Sequence, residues 1–408
     1  MKIIFTIVCS TFVLYTSAQR CGTPDYQKLH PVNQLNAQRS SSVIAESRDT
    51  LANEVIVIPV IVHILYNTDE QNISDEQVIS QINSLNKDFR RLNADAVNTP
   101  APFKNVAADT RIEFCVAKVD PDGKYTTGII HKFTKDSVFY TDDAVKFSSY
   151  GGDDAWDATQ YLNIWVCNLS GKTLGYTVLP GSPAEKDGVV IKYTAFGTTG
   201  NVVAPYNKGR TATHEIGHWL GLKHLWGDET CGDDGIADTP PQETSNRNCP
   251  TFPHTSSCSI NSYGDMFMNF MDFTDDGCMN LFTEGQKAEM RGLFALGNPR
   301  NSFLNSTVCN ASNAEGGPVP KDSTDLKLSF ITYPNPFNTE INIVANNDSA
   351  VIGNVLRLYN INGQLCLTQK IVSQKTTLKV NGLPAGIYIL KIQGKNYENV
   401  YKLIKQRP

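Results

Sequence analysis

His214-Glu215-Ile216-Gly217-His218-Trp219-Leu220-Gly221-Leu222-Lys223-His224 gathers three of the chain's seven histidines into eleven residues. On a helix, positions i and i+4 share one face, a turn apart, so His214 and His218 can offer two imidazole nitrogens to one metal ion. Glu215 stands beside the first of them, where a carboxylate can take a proton from a water on the metal. Gly221 can adopt a positive φ, end the helix and turn the chain back. His224 then approaches as a third ligand from another direction. Three protein ligands with a fourth position left open for water are the pattern of a catalytic zinc site, whereas structural zinc sites are closed. The spacing therefore assigns His214, His218 and His224 to zinc and Glu215 to general-base catalysis. Gly209, Arg210 and Thr211 precede the periodic stretch and predict a helix beginning near Thr211 or Ala212.

Upstream, Val55 to Tyr66 is a strongly apolar β-run, with His63 as a core histidine inside it. Residues 74–92 carry helical periodicity at Val78, Ile79, Ile82 and Leu85, with Ser74 as N-cap and Gln77 completing a capping box. Strand-like runs recur at 111–119, 161–167 and 188–193. This order predicts an α/β (α+β) domain with a twisted mixed sheet, largely parallel, above the zinc helix. The run Val189-Val190-Ile191 is the expected edge strand, able to bind extended substrate by β-augmentation. Residues 225–300 form an irregular lower part ending in a helix near 283–296.

The zinc motif, Asp238-Thr239-Pro240 and Asn269-Phe270-Met271-Asp272 together resemble the pappalysin family of the metzincin clan, over roughly residues 55–300. The resemblance implies a metzincin-like catalytic domain that hydrolyses peptide bonds, with a preference for arginine after the scissile bond. It implies a turn that sets Met271 beneath the metal; Met266, Met268 and Met279 compete for that role. It also tips the acidic run 228–239 toward calcium rather than a solvated loop, with Asp234 and Thr239 as ligands and Glu229 as a weaker one. One position departs from the family: Phe273 stands where a tyrosine is usual, so a hydroxyl thought to help bind the transition state is missing.

Residues 1–18 read as a signal peptide, with Lys2 as basic n-region, an apolar stretch from Ile3 to Tyr15 and Thr16-Ser17-Ala18 as a small-residue cleavage site. Export places the ten cysteines in an oxidising setting. Cys9 leaves with the signal. Cys231, Cys249, Cys258 and Cys278 lack the Cys-x₂₋₄-Cys spacing of a zinc site. Four cysteines allow three pairings; the family resemblance implies Cys231–Cys258 and Cys249–Cys278. Cys115 and Cys167 sit in apolar runs and read as buried thiols on strands. Residues 19–48 read as a pro-segment, in which Arg20-Cys21-Gly22-Thr23 stands out. A Cys21 thiolate could fill the open zinc position, in the manner of the cysteine switch of some metzincins. The family's arginine preference makes Ser47–Arg48 a self-processing bond.

The catalytic domain is expected over 49–305, and residues 306–327 read as a linker. Beyond it, short β-runs at 328–333, 340–345, 355–360, 376–380 and 386–393 alternate with turn signals such as Asn362-Gly363 and Asn381-Gly382. They predict a small all-β sandwich over 328–408. Tyr333-Pro334-Asn335-Pro336-Phe337, Leu383-Pro384-Ala385-Gly386-Ile387-Tyr388 and the basic tail Lys402 to Lys405 resemble the C-terminal sorting domain of type IX secretion. That implies secretion machinery as a partner and a secreted or cell-surface destination. A net charge of −5 and the lack of a basic patch argue against nucleic acid, and no segment is long and apolar enough to span a bilayer. The whole reads as a monomeric, secreted zinc metalloendopeptidase acting on protein or peptide substrates, with calcium as a structural ion. A secreted adhesion module with a degenerate zinc site is the competing class, and a zinc hydrolase of non-peptide esters or amides is a third.

Overall fold

The computed structural model describes residues 20–31, 54–259, 263–315, 330–345, 354–371, 373, 375–394 and 398–406. The expected signal peptide, the Ser47–Arg48 bond and residues 316–327 of the expected linker lie outside them. The chain divides into two compact units, Met1–Gly317 and Pro318–Pro408.

The first unit is built on β1 (Ile56–Tyr66), whose continuous apolar run fits a strand covered on both faces. Parallel partners flank it. β2 (Ile112–Val116) and then β3 (Ile129–Phe133) follow one edge, and β4 (Leu162–Cys167) lies on the other. β6 (Gly188–Lys192) continues parallel to β4, and the short β5 (Gly175–Thr177) closes the sheet antiparallel to β6. The expectation that Val189–Ile191 forms the edge is thus corrected: β5 covers that run and is itself the edge strand. Three residues between glycine-containing turns leave no alternation to read.

Beneath one face of the sheet, Ile58, Val60, Val62 and Ile64 share a core with the two central helices. Val78, Ile82 and Leu85 come from α2 (Asp75–Phe89), and Ala212 and Ile216 from α3 (Arg210–Trp219). A separate cluster on the opposite face joins Leu65, Trp165, Cys167, Tyr176 and Val190. Ser74 caps α2 by accepting from Gln77 N, but the reciprocal arm of the expected capping box is not made. The Gln77 amide instead donates to Tyr193 O and Phe196 O, tying down the loop before α3. Below, α4 (Glu284–Gly292) begins with a complete capping box from Thr283 and Gln286. Another short helix, α1 (Thr23–Leu29), belongs to the expected pro-segment.

Three disulfides staple this unit: Cys231–Cys258, Cys249–Cys278 and Cys115–Cys309. The last corrects the reading of Cys115 as a buried thiol. Along β2 the buried residues are Ile112, Phe114 and Val116, so alternation turns Cys115 to the half-exposed face with Glu113, where Cys309 can reach it. Cys167 is a buried free thiol. Val308 O accepts from Lys118 N and Val119 N, and Glu315 O from Tyr125 N. Residues 306–315 therefore belong to the first unit rather than to a linker. His63 is fully buried on β1, bonded to Asp153 Oδ2 at 2.8 Å and Asn163 Oδ1 at 3.1 Å.

The second unit is all β. Its strands are β7 (Phe330–Tyr333), β8 (Glu340–Ala345), β9 (Val355–Asn360), β10 (Leu365–Lys370), β11 (Lys375–Lys379), β12 (Gly386–Gln393) and β13 (Glu398–Lys405). They form antiparallel sheets ordered β10-β9-β12-β13 and β11-β8-β7, with Ile341, Ile343, Leu356, Leu358, Leu378, Leu390 and Leu403 in one core between them. Among the described residues no helix is long and apolar enough to cross a membrane.

Candidate metal centre

Helix α3 is fixed from both ends before it presents a ligand. At its start, Arg210 Nε lies 2.8 Å from Asp88 of α2, which also accepts from Thr213 Oγ1 at 2.8 Å. At its end, Trp219 Nε1 donates to Asp187 Oδ1 at 2.7 Å, and the Arg300 guanidinium stacks on the Trp219 ring at 3.7 Å. Gly221 follows with φ 88° and turns the chain back.

His214, His218 and His224 are buried, and their Nε2 atoms lie 3.0–3.2 Å from one another. Each Nδ1 is already engaged, with Phe270 O at 2.7 Å, Leu222 O at 2.7 Å and Asp228 Oδ1 at 2.5 Å respectively. Those acceptors take the Nδ1 protons and aim all the Nε2 lone pairs at one point. Ligands about 2.0–2.1 Å from a tetrahedral zinc are separated by about 3.3 Å, so the spacing fits that ion. Burial, then the neighbouring imidazoles, push His214 well below the usual imidazole range, and burial and His224 push His218 down to about 3. Both are held in the neutral, ligating form.

Cys21 brings a sulfur to the same point. It is buried, and its Sγ lies with the imidazole nitrogens in a group spanning 4.8 Å. Cys21 pairs with Gly175 of β5, where Gly22 N donates to Gly175 O at 2.8 Å. Thr23 Oγ1 donates to Glu215 Oε2 at 2.8 Å and accepts from Thr177 N at 3.0 Å. Glu215 is fully buried, and burial pushes this carboxyl up to about 7 against the hydrogen bonds of Thr23 and Cys21. On the other side of Cys21, the buried Arg20 donates to Asp276 Oδ1 at 2.8 Å and to Thr274 O.

Met271 packs against Gly217 of the helix that carries His214 and His218, as close as the absence of a side chain allows: a Cβ there would meet Met271 Sδ at 2.5 Å. Phe273 packs on His214, His224 and Trp226, with ring centroids at 5.6, 4.7 and 5.0 Å, and the Arg247 guanidinium lies 5.7 Å from its centroid. Away from the histidines, Asp234 Oδ1 accepts from Thr239 Oγ1 at 2.8 Å, Asp234 Oδ2 is buried without a partner, and Glu229 is exposed. Sequence reasoning gave no role to Thr23 or Asp276, and took Asp228 only as part of the acidic run read toward calcium. Only Asp228, four residues after His224, left a local signal.

A family model described as pregnancy-associated plasma protein-A matches residues 147–295. Mirolysin in complex with compound 9 is 51% identical, with a TM-score of 0.62, over 63% of this chain and 100% of that one. The chain belongs to the pappalysin family of metalloproteases. A promirolysin mutant of Tannerella forsythia is 46% identical over 70% of this chain and 97% of that one, with a TM-score of 0.66. An extracellular metalloprotease of Sordaria macrospora is 38% identical over 33% of this chain and 48% of that protein. The chain spans about half the length of the first curated relatives it matches. Another extracellular metalloprotease, from Arthroderma benhamiae, is 29% identical over 70% of this chain and 93% of its own length. Residues 332–406 match the secretion system C-terminal sorting domain. This pappalysin is a secreted or cell-surface protein.

Proposed function

We propose that this protein is a secreted zinc metalloendopeptidase held as a zymogen by its residues 20–30. The observation that carries the reading is the convergence of the buried His214, His218 and His224 Nε2 atoms beside Glu215, with Cys21 Sγ at the same point. Bound by those histidines, zinc supplies Lewis acidity, polarising a carbonyl and acidifying a water. Glu215 accepts the proton of the attacking water and returns it to the leaving amine. In the latent chain burial already pushes this carboxyl up, the direction a group that takes and returns a proton needs. While residues 20–30 are in place, Cys21 Sγ fills the fourth position, where the water would bind, and Thr23 Oγ1 engages the Glu215 carboxylate.

The Arg20 guanidinium stands in for a substrate arginine. Its contact with Asp276, one residue from the metal-facing Cys21, supports a pocket that reads arginine next to the scissile bond. Asp234 Oδ2, buried and unpartnered, supports calcium at Asp234 and Thr239.

Glu215→Ala in the processed protein should retain zinc by metal analysis and lose about 10²–10⁴-fold in turnover of denatured protein. A cleavage-site profile of the unmutated enzyme should place arginine immediately after the cut bond. Turnover that survives in the variant removes Glu215 as the base.

A further inference from the structure

Beyond Cys21 and Thr23, the pro-segment reaches a second site. Helix α1 carries Tyr26, only 5% exposed, over the edge strand β5 and into the cluster on the far face of the sheet. Tyr26 OH donates to Asp143 Oδ2 at 2.5 Å, and its ring lies 5.3 Å from that of Tyr176 and 5.5 Å from Lys146 Nζ.

The walls also have contacts of their own. Lys146 Nζ is 2.9 Å from Asp143 Oδ1 and donates to Lys186 O at 2.9 Å, while Lys186 Nζ is 3.1 Å from Asp143 Oδ2. Lys146 Nζ is further held over the Trp165 and Tyr176 rings, at 5.6 and 5.1 Å. The buried lysine keeps Asp143 ionised: burial alone would push this carboxyl up, but Lys146, Tyr26 and Lys186 together hold it below the ordinary range. Loss of residues 20–30 leaves a preformed slot with an aromatic wall and a carboxylate floor.

The slot also stands where a substrate passes. A Cβ on Gly175 would meet Glu215 Cγ at 2.8 Å, so Gly175 faces the metal, and alternation turns its neighbour Tyr176 to the far face. A peptide added to the β5 edge likewise sends alternate side chains to the two faces. Those on one face meet Glu215 and the histidines; those on the other meet Tyr176 and Asp143. We infer that Asp143, Lys146 and Tyr176 form a specificity subsite for a tyrosine side chain of the substrate, which Tyr26 occupies in the latent chain. The inference rests on the peptidase reading above. With Arg20 on the side of the residue after the scissile bond, the subsite serves residues before it.

Two measurements on the processed protein test this. In the first, peptides with a fixed cleavable bond carry Tyr, Phe or Ala at each of the positions before it. At one position Tyr should exceed Phe in kcat/KM by about tenfold or more, the usual worth of a hydrogen bond to a charged acceptor. In the second, the zinc-loaded Glu215→Ala protein is titrated calorimetrically with a synthetic peptide of residues 20–31 and with its Tyr26→Phe form. The second peptide should bind about tenfold more weakly. Equal values for Tyr and Phe at every position, or equal affinities of the two peptides, overturn the subsite. If no peptide is cleaved, the peptidase reading fails by itself and the calorimetric pair still decides the pocket.

Discussion

Thr23 Oγ1 has one proton to give and gives it to Glu215 Oε2, while Thr23 Oγ1 itself accepts from Thr177 N. Only a hydroxyl serves both partners, so in the proposed zymogen Thr23 would be a second inhibitory contact beside the sulfur of Cys21. Valine has the same shape without the oxygen. Thr23→Val should leave a zymogen that folds and still presents Cys21, yet processes about tenfold or more faster, because a charge-assisted hydrogen bond has gone. A time course of pro-segment loss checks this; an unchanged half-time would make Cys21 the sole latch. These contacts explain what the sequence could and could not disclose about the site. His214, Glu215 and His218 were legible because helix geometry ties them within one turn. Thr23 and Arg20 were not, because their partners Glu215 and Asp276 lie 192 and 256 residues away. No periodicity links positions so far apart.

At the scale of elements, the distinction is between long and short. β1, α2 and α3 are read from sequence because 10 to 15 residues of apolar pattern outweigh local noise. β5 has three residues and borrows its order from β6 on one side and Cys21 on the other. β3 was missed for a different reason: its residues are half-exposed or exposed, so it shows no core-facing alternation. Yet β5 packs against Glu215, and Gly175 lets it approach. An added Cβ would meet Glu215 Cγ at 2.8 Å and Ile191 Cδ1 at 3.0 Å, and neither can retreat far in a packed core. Gly175→Ala should therefore displace Glu215 or the strand by a few tenths of an ångström or more. An effect of up to about 10²-fold in kcat follows from a misplacement of ~1 Å. Zinc content, which the proposed ligands His214, His218 and His224 would set, should not change. A variant with unchanged kcat would mean that the strand shifts without carrying the substrate with it.

At the scale of the molecule, the two units hold separate cores. One gathers residues from Cys21 to Phe303 and the other from Phe330 to Leu403, with no residue in common. Cooperative unfolding follows the core, because burial of apolar surface supplies most of the driving force. The first unit is further closed by Cys115–Cys309, which joins β2 to the end of the unit across 194 residues. Removing such a link typically costs about 2–4 kcal/mol. The full chain should thus show two calorimetric transitions. Cleavage after Gly317 should abolish one and leave the other where it was. The Cys115→Ser/Cys309→Ser pair should lower only the first unit's transition, and a zinc chelator should lower that same transition, because a ligand bound to the folded form alone stabilises it by mass action. A single transition that moves as a whole under all three treatments would show that the units unfold as one, and the sorting unit would then have to be counted as part of the enzyme's stability.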